Sequence, residues 1–197
     1  MVAREPTESA AGTEAGAGPA LSAGALYERL EEEISRAERY GTTLSCLLVV
    51  VDNLEEMARE HGGDLPEQTL RYVAAALGNE VRRFDRVGRP SQGDVLVVLP
   101  GTDDTLGEIV ARRLLRRLQT IKVEARGTRH PLQITLGLAA WQADMSGEEL
   151  VNRTRQASRP ANGEALSRDA AGPGRPAPAR SAPRRPDPGG PTPAPAS

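Results

Sequence analysis

Residues Leu44 to Val51 read Leu-Ser-Cys-Leu-Leu-Val-Val-Val, apolar but for Ser45 and closing on three valines. A run this short, with β-branched residues stacked at its end, is a strand and not a helix segment. Its apolarity is continuous and does not alternate, so both of its faces are buried. That requirement dictates a sheet with this strand in its interior.

The flanking segments supply the rest of such a fold. Leu26, Leu30, Ile34 and Ala37 recur at helical spacing, which predicts an amphipathic helix with a charged outer face. After the strand, Asn53 is placed to cap a short helix running to about Glu60. His61-Gly62-Gly63-Asp64 breaks that helix. Pro66 opens the next one, with Leu70, Val73, Ala74, Leu77 and Val81 as its buried stripe. Phe84 to Gly88 and Val95 to Leu99 read as antiparallel strands around a turn containing Gln92-Gly93-Asp94. Asp103 and Asp104 suit a helix N-terminus, and the helix they start is expected to bury Leu106, Val110, Leu114 and Leu118. His130-Pro131 reads as a loop, Leu132 to Ala140 as a strand, and Gly147 onward as a helix with Glu148 and Glu149 in its first turn. The order gives an α/β (α+β) fold, a ferredoxin-like βααββαβ palm with a mostly antiparallel sheet and helices expected on one side of it.

Composition marks the ends of this unit. Residues 1–22 are rich in Ala, Gly and Glu, too poor in large apolar groups to offset ordering entropy, and are expected to be disordered. Ten of the 16 prolines fall between Pro160 and Pro195. Residues 159–197 therefore read as an extended tail, with a formal charge of +3. Residues 23–158 are left as the folded domain. The whole chain has a formal net charge of −2, which supplies no general drive toward nucleic acid or anionic membrane. Of its 25 basic residues only Lys122 is lysine. The single cysteine, Cys46, excludes an intrachain disulfide and lies in the buried strand. No run is long enough to cross a membrane and the N-terminus is unlike a signal peptide, so a cytoplasmic protein is the expectation.

The turn between the two antiparallel strands carries a more specific signal. Arg89-Pro90-Ser91-Gln92-Gly93-Asp94-Val95, followed by an apolar strand and Pro100, resembles the Arg-aromatic-Gly-Gly-Asp-Glu-Phe hairpin of the GGDEF, or diguanylate cyclase, family. Other segments keep the family's order and spacing. Glu38-Arg39-Tyr40-Gly41 and the strand ending at Asp52 resemble its opening motifs. Leu54 to Glu67 spans its F-K-x-I-N-D-x-x-G-H-x-x-G-D pattern, with Gly62 and Leu70 matching. Ile134-Thr135-Leu136-Gly137-Leu138-Ala139 is similar to its T-x-S-x-G-x-A strand, and Glu148-Glu149-Leu150 to its last helix start. The family's T-G-L-x-N-R turn before the first helix is not recognisable.

The resemblance implies a chemistry and also where that chemistry is missing. Diguanylate cyclases join two GTP molecules into cyclic di-GMP with two carboxylate-held Mg²⁺ ions, which require oxygen ligands. The positions of the two metal-binding side chains fall on Val50 and Gly93, and the backbone carbonyl between them on Val51. The guanine-reading Asn falls on Ala58 and its partner Asp on Glu67. The phosphate-approach glycines fall on Ser91 and Gln92, and the helix-borne lysine at about Asn162. No catalytic residue and no metal site are therefore expected, and no cofactor, with Mg²⁺ only if activity survives. Asp52 and Asp94 are the vestigial candidates. A one-residue shift of the hairpin would put Asp94 at the acidic position of the signature, whereas a solvated turn and a helix cap are the structural roles open to Asp94 and Asp52.

Arg82-Arg83-Phe84-Asp85 holds Arg-x-x-Asp where the resemblance implies a product-binding inhibitory site, and Arg113 falls where a second arginine is often found. Arginine forks match guanine edges and phosphate oxygens, so Arg82, Asp85 and Arg113 are the candidate ligand residues. The alternative is a solvated basic face around Arg112, Arg113, Arg116 and Arg117, with Arg82 and Arg83 ending a helix. His61 and His130 are read as isolated, without partners at metal spacing. Trp141 is read as a packing residue. Three functions remain open: an inactive regulatory domain binding cyclic di-GMP, a residually active cyclase, and an interaction domain whose partner is another protein or a second copy.

Overall fold

The computed structural model describes residues 19–160 apart from Arg126. The expected tails fall almost wholly on 1–18 and 161–197, outside the described residues. The elements are α1 (Ala23–Tyr40), β1 (Leu44–Val51), α2 (Leu54–His61), α3 (Asp64–Glu80), β2 (Arg86–Gly88), β3 (Asp94–Pro100), α4 (Asp104–Gln119), β4 (Lys122–Ala125), β5 (Thr128–Pro131), β6 (Ile134–Ala140), α5 (Gly147–Gln156) and β7 (Arg159–Pro160). Five strands form one sheet in the order β2-β3-β1-β6-β7. Every pairing in it is antiparallel. The α/β class is that of the structure, and the predicted elements occur in the predicted order, with β4, β5 and β7 added to them.

β1 lies at the centre of this sheet, as its composition requires. Leu47, Val49 and Val51 point to one face, where they pack with Met57 of α2, Leu70, Val73 and Leu77 of α3, and Leu114 and Leu118 of α4. Leu44, Cys46 and Leu48 point to the other, against Leu26, Leu30 and Ile34 of α1 and Leu150 and Val151 of α5. Alternation along one strand thus feeds two cores. Helices cover both faces and not one, a correction to the sequence expectation. The doubly apolar β1 has the physical reason in it: an uncovered second face would leave Cys46 and Leu48 in water, whereas both are fully buried. The one polar residue of the strand interior, Ser45, is also buried and donates its hydroxyl to the Thr102 carbonyl at 2.8 Å. Burial pushes the Cys46 thiol far above its ordinary value.

Three further expectations change. Asn53 occupies the N-cap position of α2, but its side chain makes no cap hydrogen bond there. Its side chain instead accepts from Gln133 N–H and donates to the Pro131 carbonyl, both at 3.1 Å, so it ties the start of α2 to the β5–β6 junction. His130-Pro131 is not a loop but the end of β5, which pairs with β4 as a separate two-stranded hairpin. On α4 the expected Leu114 and Leu118 are buried and Val110 packs partly buried against the core, but Leu106 is 47% exposed, with Gly107 and Ala111 buried instead. The small residues decide this. A Cβ on Gly107 would lie 3.0 Å from the Leu138 side chain, so the helix docks closely on β6 through Gly107 and Ala111 and Leu106 turns outward.

At the two ends of the described segment the chain stays against the sheet. Leu21 donates to the Val87 carbonyl at 2.8 Å and accepts from Arg89 N–H at 3.0 Å, adding a bridge to the edge strand β2. Arg159–Pro160 pairs with β6 on the opposite edge. No helix among the described residues is long and apolar enough to cross a membrane.

Candidate functional site

The turn joining α3 to β2 holds two of the three ligand candidates. α3 ends at Glu80 with Val81 as its C-cap, so Arg82 and Arg83 lie beyond the helix and not on it as expected. Asp85 closes this turn. Its N–H donates to the Arg82 carbonyl at 3.0 Å, and its carboxylate accepts from the Arg82 N–H at 2.8 Å. Arg86 braces the same turn through the Arg83 and Asp85 carbonyls. The three-residue spacing of Arg82 and Asp85 therefore has a local structural use that involves the Arg82 backbone. The Arg82 guanidinium is exposed, and it makes no hydrogen bond or ion pair among the described residues.

Asp85 is only 4% exposed. Burial raises its carboxyl above the ordinary carboxylate range, against the opposing pull of the Arg82 N–H and of the Arg82, Arg113 and Arg86 charges. Arg113 reaches the turn from α4 and donates to the Glu80 carbonyl at 3.0 Å. The three predicted residues are thus brought to one region by the packing of α4 against the end of α3. Beside it, between α1 and the ends of β2 and β3, opens a cleft of about 320 Å³ lined by Arg29, Arg36, Phe84, Arg86 and Gly101 among others. Phe84 is 73% exposed. Arg82, Asp85 and Arg113 do not line the cleft.

The signature hairpin lies at the far end of the sheet from the cleft. Val50 on β1 pairs with Asp94 on β3 and with Thr135 on β6. Asp94 accepts from Arg155 of α5 at 3.0 Å, and its side chain is 14% exposed. Asp52, immediately after β1, accepts from the Thr135 hydroxyl at 2.9 Å. Neither expected helix cap nor free turn carboxylate is found at these two positions. Each carboxylate is instead engaged by a neighbouring element.

Glu67, on α3, meets the hairpin from the other side. Arg89 Nη1 and Nη2 contact its two carboxylate oxygens at 2.6 and 2.9 Å, and the same Nη2 reaches the Gln92 carbonyl at 3.2 Å. This fork holds the Glu67 carboxyl below the usual carboxylate range, chiefly through the Arg89 hydrogen bond. The sequence reading did not pair these residues, which are 22 positions apart.

The histidines are not isolated. His61, last residue of α2, and His130, on β5, have ring centroids 4.6 Å apart. Glu60 lies beside them, and among the described residues these three form the one group of three or more His, Cys, Asp or Glu side chains arranged for a shared ion. The histidines' separation of 69 positions hid this proximity from the sequence.

Comparison with known proteins gives a consistent result. Residues 23–164 match the family described as diguanylate cyclase, GGDEF domain. The chain is 28% identical over 135 residues to the diguanylate cyclase DgcP of Pseudomonas aeruginosa, an alignment covering 68% of this chain and 20% of that protein. It therefore spans about a fifth of the length of that relative. Among solved structures it resembles the diguanylate cyclase SiaD of Pseudomonas aeruginosa, determined in complex with its activator SiaC. The TM-score is 0.66 at 25% identity, covering 69% of this chain and 52% of SiaD. The GGDEF domain of DgcB from Caulobacter crescentus, determined in complex with c-di-GMP, shares the fold with a TM-score of 0.65 at 17% identity, covering 80% of this chain and 90% of that one.

Proposed function

This chain belongs to the diguanylate cyclase, GGDEF domain family, and we propose that it uses the family scaffold to bind and not to catalyse. In this reading it is a regulatory domain that makes no cyclic di-GMP and binds that dinucleotide through Arg82, Asp85 and Arg113. The observation that carries the reading is the buried Asp85 carboxylate set beneath three arginines, next to an Arg82 fork with no partner among the described residues. A buried carboxyl shifted upward by its burial, with arginine charges pulling the other way, is a candidate for function. The Arg82 fork is free to take a guanine edge or a phosphate.

The hairpin end supports the loss of synthesis. Val50 and Gly93 supply no side-chain oxygen, and the carboxylate across from Val50, Asp94, is ion-paired with Arg155. Magnesium requires near-ideal oxygen coordination, and a guanidinium 3.0 Å from the remaining carboxylate competes for it. This donor set does not fit two magnesium ions. At the position of the guanine-reading residue's acidic partner, Glu67 is already forked by Arg89.

Calorimetric titration of the full chain with cyclic di-GMP, and separately with GTP and Mg²⁺, tests the proposal. Binding of cyclic di-GMP without turnover of GTP is the expected result. No heat of binding with cyclic di-GMP at high micromolar concentration would end it in favour of a protein-interaction domain, and product formation from GTP would end it in favour of a residual cyclase.

A further inference from the structure

We propose that Glu60, His61 and His130 form a binding site for a divalent transition metal ion of zinc type, joining the end of α2 to the β4–β5 hairpin. The candidate ligand atoms of these three side chains all lie within 4.8 Å of one another. Glu60 Oε2 and His61 Nε2 are 3.4 Å apart. Zinc–nitrogen and zinc–oxygen bonds of about 2.0–2.2 Å at tetrahedral angles put neighbouring donors about 3.3–3.5 Å apart, so this pair already has the separation of two ligands on one ion. The two rings are inclined by 58° with centroids 4.6 Å apart.

The polar accounting is a separate reason. Both ring nitrogens of His61 and Nε2 of His130 are buried without a hydrogen-bond partner. Buried imidazole nitrogens in native proteins are otherwise almost always satisfied. Facing nitrogens that share no proton are what a metal would satisfy. The Glu60 side chain is 54% exposed against 12% for His61, so the site opens to solvent on the glutamate side and gives an ion a path in.

The surroundings suit a cation. Glu60 and His61 occupy the last turn of α2, where the helix dipole favours positive charge. Gly62, at φ 109°, turns the chain away directly after His61. Asn53 holds the strand beyond His130 through Pro131 and Gln133, so both ends of α2 meet the same hairpin. Two imidazoles and a carboxylate select a borderline ion such as Zn²⁺ over Mg²⁺ or Ca²⁺, which take oxygen ligands. Three protein ligands leave a fourth position for water. This inference does not rest on nucleotide binding.

The chain's composition makes the test clean. His61 and His130 are its only histidines and Cys46, its only cysteine, is buried, so an untagged chain offers no competing imidazole or accessible thiol. Titrating the untagged full chain with Zn²⁺ alone, by calorimetry and by thermal unfolding, should show one ion per chain and a raised unfolding midpoint. His130→Gln should weaken Zn²⁺ binding at least tenfold and abolish the rise in midpoint while keeping the far-UV circular dichroism of the wild type. His61→Gln should behave likewise. With Co²⁺ as probe, the wild type should develop visible absorption of four-coordinate cobalt. No Zn²⁺ binding by the wild type at high micromolar metal, or equal binding by His130→Gln, would overturn the proposal and leave two packed histidines served by water.

Discussion

Arg155 Nη2 lies 3.0 Å from Asp94 Oδ2, linking the last helix to the first residue of β3. Asp94 stands across from Val50 on the neighbouring strand, so the ion pair takes up a carboxylate beside Val50 and Gly93, the positions onto which the resemblance places the family's metal-binding side chains. With Arg155 side chain 47% exposed, the pair is worth at most about 1 kcal/mol. Arg155→Ala should therefore lower stability by no more than that in urea unfolding. Incubated with GTP and Mg²⁺, neither the wild type nor Arg155→Ala should yield cyclic di-GMP. Product that scales with protein and disappears in Asp94→Ala would overturn the loss of synthesis.

Arg82→Ala should weaken cyclic di-GMP binding by about 1.5–3 kcal/mol, the range for a hydrogen bond to a charged group, or roughly tenfold to a hundredfold in Kd. Stability should barely change, because the Arg82 backbone and not its guanidinium holds the turn. Arg83→Ala should matter less to binding. The reason is no longer helical geometry, since both arginines lie in the turn; it is that the buried Asp85 feels the Arg82 charge, and Arg83 is not among the charges acting on it. Equal losses in calorimetry for the two variants would remove Arg82 from its assigned role.

Asp85→Asn tests the buried carboxyl through pH. The folded value of this acid is raised, chiefly by burial. The native state thus keeps the proton through a window starting at the ordinary carboxylate value of about 3.9 and extending upward. Stability from this group is fully present below that window and falls as pH rises through it. Asparagine keeps an acceptor for the Arg82 N–H and carries no charge to bury. The variant should gain on the wild type as pH rises from below 4 to 7, as read from urea midpoints at each pH. A gain in the opposite direction would show that the arginines outweigh burial.

Leu114→Ala and Leu106→Ala on α4 should behave very differently. Leu114 is fully buried in the core shared with α3 and β1, and its truncation should cost about 2–5 kcal/mol. Leu106 is 47% exposed, so its loss should stay within about 0.5 kcal/mol of wild type. Denaturant unfolding of the two variants side by side checks that Leu106 turns outward, and similar losses would return it to the buried face.

Local pattern was enough for much of this molecule. The apolar run of β1 announced a central strand buried on both faces; the stripe Leu26, Leu30, Ile34 and Ala37 announced α1, and all four are buried. The family resemblance singled out Arg82, Asp85 and Arg113 as candidate ligand residues. What depended on packing between distant segments was not legible. Periodicity cannot see that Gly107 allows close approach to Leu138, so it put Leu106 on the buried face of α4 beside Leu114 and Leu118. Propensity cannot see that the Asn53 amide finds better partners at Pro131 and Gln133 than at its own helix. The Arg89–Glu67 fork, the Arg155–Asp94 pair and the meeting of His61 with His130 join residues 22, 61 and 69 positions apart, and only the folding of the sheet and its helices decides which charges and rings become neighbours.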